Sequence, residues 1–278
     1  MRTYAHDGLV FDVKDEGPED GYPVVFLHGF PQDSTAWDSV VEPIQEQGYR
    51  TLAPNLRGYS PAARPTAAKD YVSARTAADA IALLDAIEAD DAHIVGHDWG
   101  GFVAWAVASE YPDRVRTVSV LSTPHPAAMK HAMITSTQGL RSWYMGMFQL
   151  PWISERILDP DGPAWRALMR GLPPHQAAHY TDRMRQPGAL SAALNWYRAM
   201  PRDMIRPSLK MHRITVPTAY IWGERDPALG RAGAEATADF VTGDYIFTQL
   251  QGIGHWIPET APDAVVEGLL DRFSDRVP

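Results

Sequence analysis

The chain has 278 residues, with 25 Lys+Arg against 34 Asp+Glu, no cysteine and a formal net charge of −9. That length suits one large domain or a core carrying an insertion, and 45% hydrophobic with 21% charged residues is a globular composition. The missing cysteine removes disulfides, iron–sulfur clusters, cysteine-ligated zinc and a thiol nucleophile together, and the acidic balance argues against a general affinity for nucleic-acid phosphates.

Short β-branched or aromatic runs alternate with longer helical patterns, which predicts an α/β fold with a mostly parallel central sheet and helices on both faces. In chain order the predicted strands are 9–15, 23–28, 50–54, 92–97, 115–121, 216–222 and 244–249. A helix over 71–89 places Val72, Ala80, Leu83 and Ile87 near one face. Segment 101–110 is helical directly after a tight glycine turn, and 262–274 is a helix with Val265, Val266, Leu269, Leu270 and Phe273 inward. The early apolar run at 22–27 is far shorter than a membrane span. The expectation is a cytoplasmic protein with no membrane partner.

The rhythm breaks between 123 and 212, where no strand pattern survives. Nine of the ten methionines and four of the nine tryptophans lie there. Eleven Lys+Arg against five Asp+Glu give this stretch +6, while 14 against 29 give the remainder −15. The predicted organisation is a core of 1–122 and 213–278 carrying a helical cap over 123–212. Methionine suits adaptable apolar surfaces, so the cap is either a lid over a pocket or a helical subdomain with a sulfur-rich core.

The most informative stretch is His93-Ile-Val-Gly-His-Asp-Trp-Gly-Gly-Phe102. It reads as strand, very tight turn and helix, with Gly96, Gly100 and Gly101 bracketing Asp98. This is the pattern of a nucleophile elbow, in which a strained turn lifts one side chain above the sheet end. A carboxylate so placed attacks a saturated carbon and forms an ester that water must cleave. The alternative is an ordinary loop whose aspartate caps the helix.

Two further loops follow predicted strands. Trp222-Gly-Glu-Arg-Asp-Pro-Ala228 puts Asp226 at a strand's C-terminal end, where open α/β sheets hold their sites. Gly252-Ile-Gly-His-Trp256 sets His255 on a permissive loop after the last strand. Upstream, Leu27-His-Gly-Phe-Pro-Gln32 closes another strand, and it either supplies part of an oxyanion hole or is a simple turn on Gly29. The oxyanion reading nominates the backbone N–H groups of Phe30 and Trp99.

At this point the chain resembles the α/β-hydrolase superfamily nearly end to end, and within it the epoxide hydrolase family. The carrying residues are HGFP (28–31), RGYS (57–60), GHDWGG (96–101), ERD (224–226) and GHW (254–256), in the family order nucleophile, acid, histidine. In the cap, the segment 143–151 and the run Asn195-Trp-Tyr-Arg198 resemble those carrying the family's two ring-opening tyrosines, which fall on Tyr144 and Tyr197. The resemblance implies an α/β-hydrolase fold with an inserted cap and a cis bond before Pro31. It further implies catalytic Asp98, Asp226, His255, Tyr144 and Tyr197, and a substrate pocket touched by Phe30, Trp99, Tyr144, Tyr197 and Trp256. Two phenols suit the chemistry, because a neutral phenol can protonate or hydrogen-bond the oxygen of an opening epoxide. Simple packing in the cap is the alternative for both.

The implied partners are a small apolar epoxide and water, with no nucleic acid, no metal and no organic cofactor, in a monomer or homodimer. A haloalkane dehalogenase is the competing chemistry, because it shares the aspartate nucleophile and the tryptophan after it. One dehalogenase subgroup uses Asn where this chain has Phe30. Another uses a second cap tryptophan, which four cap tryptophans leave open. A non-catalytic small-molecule receptor on the same fold is the reading from a different class, and single-turnover ester formation separates it from an enzyme.

Overall fold

The computed structural model describes residues 1–205 and 208–274. The expected cap limits therefore include two residues, and the expected core limits four, that lie outside the described residues. Eight strands are described: β1 (Thr3–His6), β2 (Leu9–Glu16), β3 (Tyr22–Leu27), β4 (Tyr49–Pro54), β5 (Ala92–His97), β6 (Val115–Leu121), β7 (Thr218–Gly223) and β8 (Tyr245–Leu250). They form one sheet in the order β1-β2-β4-β3-β5-β6-β7-β8. The β1–β2 and β2–β4 pairs are antiparallel, and every pair from β4–β3 to β7–β8 is parallel.

The seven predicted strands are present, with edges moved by a residue or two. β7 begins only at Thr218, because Pro217 just before it has no N–H to give to a ladder. β1 is an addition to the predicted set. It is a four-residue edge strand joined to β2 by Asp7-Gly8, both at positive φ (53° and 74°), a dipeptide suited to a two-residue hairpin turn. Tyr4 of β1 stacks on Phe11 of β2 with ring centroids 4.9 Å apart.

The core helices are α1 (Asp38–Glu46), α2 (Ser73–Ala86) and α3 (Trp99–Glu110). Between β6 and β7 run α4 (Pro126–Thr135), α5 (Gln138–Arg141), α6 (Trp143–Met147), α7 (Ile153–Ile157), α8 (Pro163–Leu168), α9 (Pro174–Met184) and α10 (Ala189–Ile205). α11 (Arg231–Ala236), α12 (Ile257–Thr260) and α13 (Pro262–Ser274) complete the set. β5 and β7 are buried along their whole length, as strands covered on both faces must be. That burial explains their near-continuous apolar sequences.

The helical run from α4 to α10 is fastened to the core at several points. Asp33 takes His179 Nε2 at 2.8 Å and Arg183 Nε at 3.1 Å, both from α9. Tyr180 of α9 donates to Glu259 of α12 at 2.9 Å, and the Trp196 indole of α10 donates to the carbonyl of Arg57 at 2.9 Å. Gln138 of α5 bridges the loop after β7, donating to the carbonyl of Ala228 at 2.7 Å and accepting from the N–H of Gly230 at 2.8 Å. Residues just after β3, β5, β7 and β8 touch this run, through Phe30 and Trp99 against Tyr197, Ala228 with Gln138, and Trp256 with Arg170.

Candidate active site

The turn between β5 and α3 is tight enough that side chains are excluded around it. A Cβ on Gly96 would stand 2.2 Å from the carbonyl oxygen of Gly100, and one on Gly100 would stand 2.0 Å from that of Leu27. A Cβ on Gly29 would lie 2.3 Å from Asp98 Cβ. Asp98 itself takes φ 51° and ψ −117° and makes no side-chain capping bond to α3. A non-glycine residue held so is strained, and the strain lifts its carboxylate over the sheet end. Asp98 is thus the N-cap residue of α3 by position, but its carboxylate makes no capping bond to that helix beyond the N–H of Trp99.

Asp98 Oδ1 accepts the backbone N–H of Phe30 at 2.8 Å, and the N–H of Trp99 also stabilises the carboxylate. Both nominated oxyanion donors thus act on the Asp98 carboxylate. The Phe30–Pro31 bond is cis. Burial pushes the Asp98 pKa up, and His255 with the two N–H groups opposes that rise.

His255 sits between two carboxylates. Its Nδ1 donates to Asp226 Oδ2 at 2.8 Å, and its Nε2 stands 3.7 Å from Asp98 Oδ2. Asp226 is buried, and its Oδ1 accepts the N–H groups of Ala228 and Leu229 at 2.8 and 2.9 Å. That leaves Oδ2 aimed at the imidazole. Burial alone would depress the His255 pKa. Asp226 first, then Asp98 and Glu259, outweigh that effect and lift it to about 9.

Tyr144 on α6 and Tyr197 on α10 are brought together, with ring centroids 6.2 Å apart and planes at 75°. Tyr197 stands edge to face with Trp99 at 4.9 Å and with Phe30 at 5.6 Å. Burial, reinforced by the Asp98 charge, raises both phenol pKa values and keeps both protonated. Phe148 closes the cluster, 4.8 Å from Tyr197 and 5.4 Å from Tyr144. Trp256 packs edge-on against His255 at 5.3 Å, and its indole N–H goes to the carbonyl of Arg170 at 3.3 Å.

Some residues that shape the site were not nominated from sequence. Gln32, fully buried, accepts Gly29 N–H at 2.8 Å, faces His97 Nδ1 at 2.9 Å and donates to Glu259 at 2.7 Å. His97 Nε2 reaches the carbonyl of His255 at 2.9 Å. The turn at 28–32, the end of β5 and the loop carrying His255 are thereby joined. Gln32 directly follows HGFP and could have been picked out, whereas Phe148 and Glu259 carry no local signal. Among the described residues, no cluster of three or more His, Asp or Glu side chains is arranged to hold a metal ion.

A strained aspartate, a histidine and a buried second aspartate at the C-terminal edge of such a sheet make the arrangement of an α/β-fold hydrolase. The profile of the alpha/beta hydrolase fold family matches residues 22–262. The chain is similar to Epoxide hydrolase A of Mycobacterium tuberculosis (strain ATCC 25618 / H37Rv), with 33% identity covering 92% of each protein. It is also similar to AB hydrolase superfamily protein YfhM of Bacillus subtilis (strain 168), with 34% identity over 97% of this chain and 96% of that one. The crystal structure of Epoxide Hydrolase A from Mycobacterium thermoresistibile superposes with a TM-score of 0.86 at 28% identity, covering 98% and 97% of the two chains. The chain belongs to the alpha/beta hydrolase fold family and, within it, to the epoxide hydrolases.

Proposed function

We propose that this chain hydrolyses a small apolar epoxide to a vicinal diol through a covalent ester on Asp98, with residues 123–212 acting as the cap over the pocket. An Asp98 oxygen attacks a ring carbon while the C–O bond breaks, and the ring oxygen takes its proton from Tyr144 or Tyr197. His255, held by Asp226, then removes a proton from water, whose oxygen adds to the ester carbonyl carbon. The oxyanion rests on the N–H groups of Phe30 and Trp99. After ring opening the imidazolium proton of His255 passes to the tyrosinate, and when the ester C–O bond breaks the departing alkoxide takes the proton of the Asp98 carboxyl group. The phenol, the carboxylate and protonated His255 are thus restored, and the diol leaves with one water consumed per turnover.

The charges suit this order. In the free enzyme the Asp98 carboxylate helps to keep His255 protonated. Ester formation removes that charge, so the imidazole pKa falls and a base becomes free at the step that needs one. The observation that carries the epoxide reading is the pair of protonated phenols, half-buried Tyr144 and buried Tyr197, with ring centroids 6.2 Å apart. Tyr197 lies against Trp99 and Phe30, whose N–H groups hold Asp98. The relatives that are epoxide hydrolases by name support the same substrate class.

One observation favours a second reading. The Trp99 indole N–H is buried, has no acceptor at full hydrogen-bonding geometry and lies toward the Tyr197 phenol, and a halide-binding donor in a dehalogenase is of this kind. Diol formation from an epoxide panel, set beside halide release from a haloalkane panel, separates the two. On the epoxide reading His255→Gln accumulates the hydroxyalkyl ester, seen as added mass on the Asp98 peptide. Halide release without diol would replace the reading, and no ester with either panel would remove both.

A further inference from the structure

Tyr144 sits on α6, a helix of only five residues, and helices that short are marginal unless something outside them holds them. Tyr197 sits within the seventeen residues of α10. The contacts between these two segments are unusual in one respect. Each segment supplies a side chain that satisfies an orphan carbonyl of the other.

The first orphan is written in the sequence. α10 contains Pro201, which has no N–H to give to the carbonyl four residues back. That carbonyl belongs to Tyr197. Gln149, five residues after Tyr144, fills the gap: its Nε2 donates to the Tyr197 oxygen at 2.8 Å and to the Met145 oxygen of its own segment at 3.0 Å. The second orphan is the carbonyl of Phe148, at the C-terminal end of α6, where helical partners run out. Arg198, next to Tyr197, donates to it through Nε at 3.1 Å. Glu155 of α7 fixes that guanidinium in turn, with both carboxylate oxygens at 2.9 Å, and is itself held by Ser191 at 2.9 Å.

We propose that Gln149 and Arg198 are positioning residues for the two phenols, and that Pro201 exposes the carbonyl on which Gln149 acts. The role rests on the epoxide reading above. The cross-tie sets the separation of Tyr144 from Tyr197, and with it the point above Asp98 where the ring oxygen must sit. It touches neither His255 nor the oxyanion donors, so it governs ring opening and leaves ester hydrolysis alone.

Two variants test this. Gln149→Leu removes the donor and is expected to slow ester formation about tenfold, since small misplacements of reacting groups cost this much or more, while the rate of ester hydrolysis is unchanged. Pro201→Ala gives the Tyr197 carbonyl a helical N–H and so competes with Gln149. It is expected to hold or raise the melting temperature, because proline in a helix interior is unfavourable, yet to slow ester formation. A merely structural residue would not move stability and ring opening in opposite directions. Unchanged ester formation in both variants overturns the proposal, as does an equal loss in both chemical steps accompanied by a lower melting temperature in both. Substrate-free ¹³C-tyrosine spectra keep this separate from the epoxide reading. Both Tyr144 and Tyr197 signals shift in each variant if the tie joins them, and a shift at Tyr197 alone, or at neither, refutes the tie whatever the enzyme's substrate.

Discussion

Replacing Asp98 with Asn isolates the charge change that the proposed ester imposes on His255. The amide oxygen can still accept the Phe30 N–H, but the negative charge 3.7 Å from His255 Nε2 is gone. At an effective dielectric constant of about 20, Coulomb's law over the observed 3.7 Å gives about 4 kcal/mol, or about 3 pH units. Partial exposure of the pair screens this, so the expected fall is about 1–3 units from the wild-type value of about 9. The assay is an NMR titration of the imidazole, assigned by loss of the signal in His255→Gln. Linkage gives an independent check on the sign. The folded His255 pKa lies above its unfolded value of about 6.5, so its contribution to stability is complete below that pH and is lost as pH rises through about 9. Asp98→Asn should shrink that pH-dependent contribution. An Asp98→Asn imidazole pKa equal to wild type, or above it, would refute the idea that ester formation frees the base.

The remaining predictions follow from geometry. Tyr144→Phe and Tyr197→Phe should each slow ring opening by about 10–100-fold with little change in ester hydrolysis, read by rapid quench of a single turnover. Phenylalanine at either position with full activity would remove the phenol from the mechanism. Gly100→Ala puts a Cβ 2.0 Å from the Leu27 carbonyl oxygen, and overpacking against backbone should cost about 3 kcal/mol or more in chemical denaturation. Gly146→Ala meets nothing within 4 Å inside α6 and should be neutral or stabilising by about 0.5–1 kcal/mol. Equal behaviour of the two would contradict the close approach at the elbow.

The three candidate catalytic loops were legible because each follows a strand whose apolar run is long enough to read and carries its own glycines. Residues 96–101, 224–226 and 254–256 announce themselves locally. β1 was missed because four residues at a sheet edge give almost no alternation, although Asp7-Gly8 is a hairpin signal that could have been used. The helical run between β6 and β7 resisted detailed reading for a related reason. α5 to α8 are four to six residues long, too short for a 3.6-residue period to show. The networks around the site are the least legible part. Gln32 meets His97 across 65 positions and Glu259 across 227, and no local pattern predicts such pairs. Pro201 is an intermediate case. Its missing N–H could be read from the sequence, but the side chain that answers it could not.

The covalent ester on Asp98 is the central claim, and one isotope measurement addresses it directly. In a single turnover with enzyme in excess in H₂¹⁸O, the diol oxygen donated by the enzyme comes from the Asp98 carboxylate, and water oxygen enters that carboxylate instead. The account predicts an unlabelled diol and ¹⁸O in the Asp98 peptide. A labelled diol from the first turnover, with an unlabelled Asp98 peptide, would mean that water attacks the epoxide directly and would contradict it.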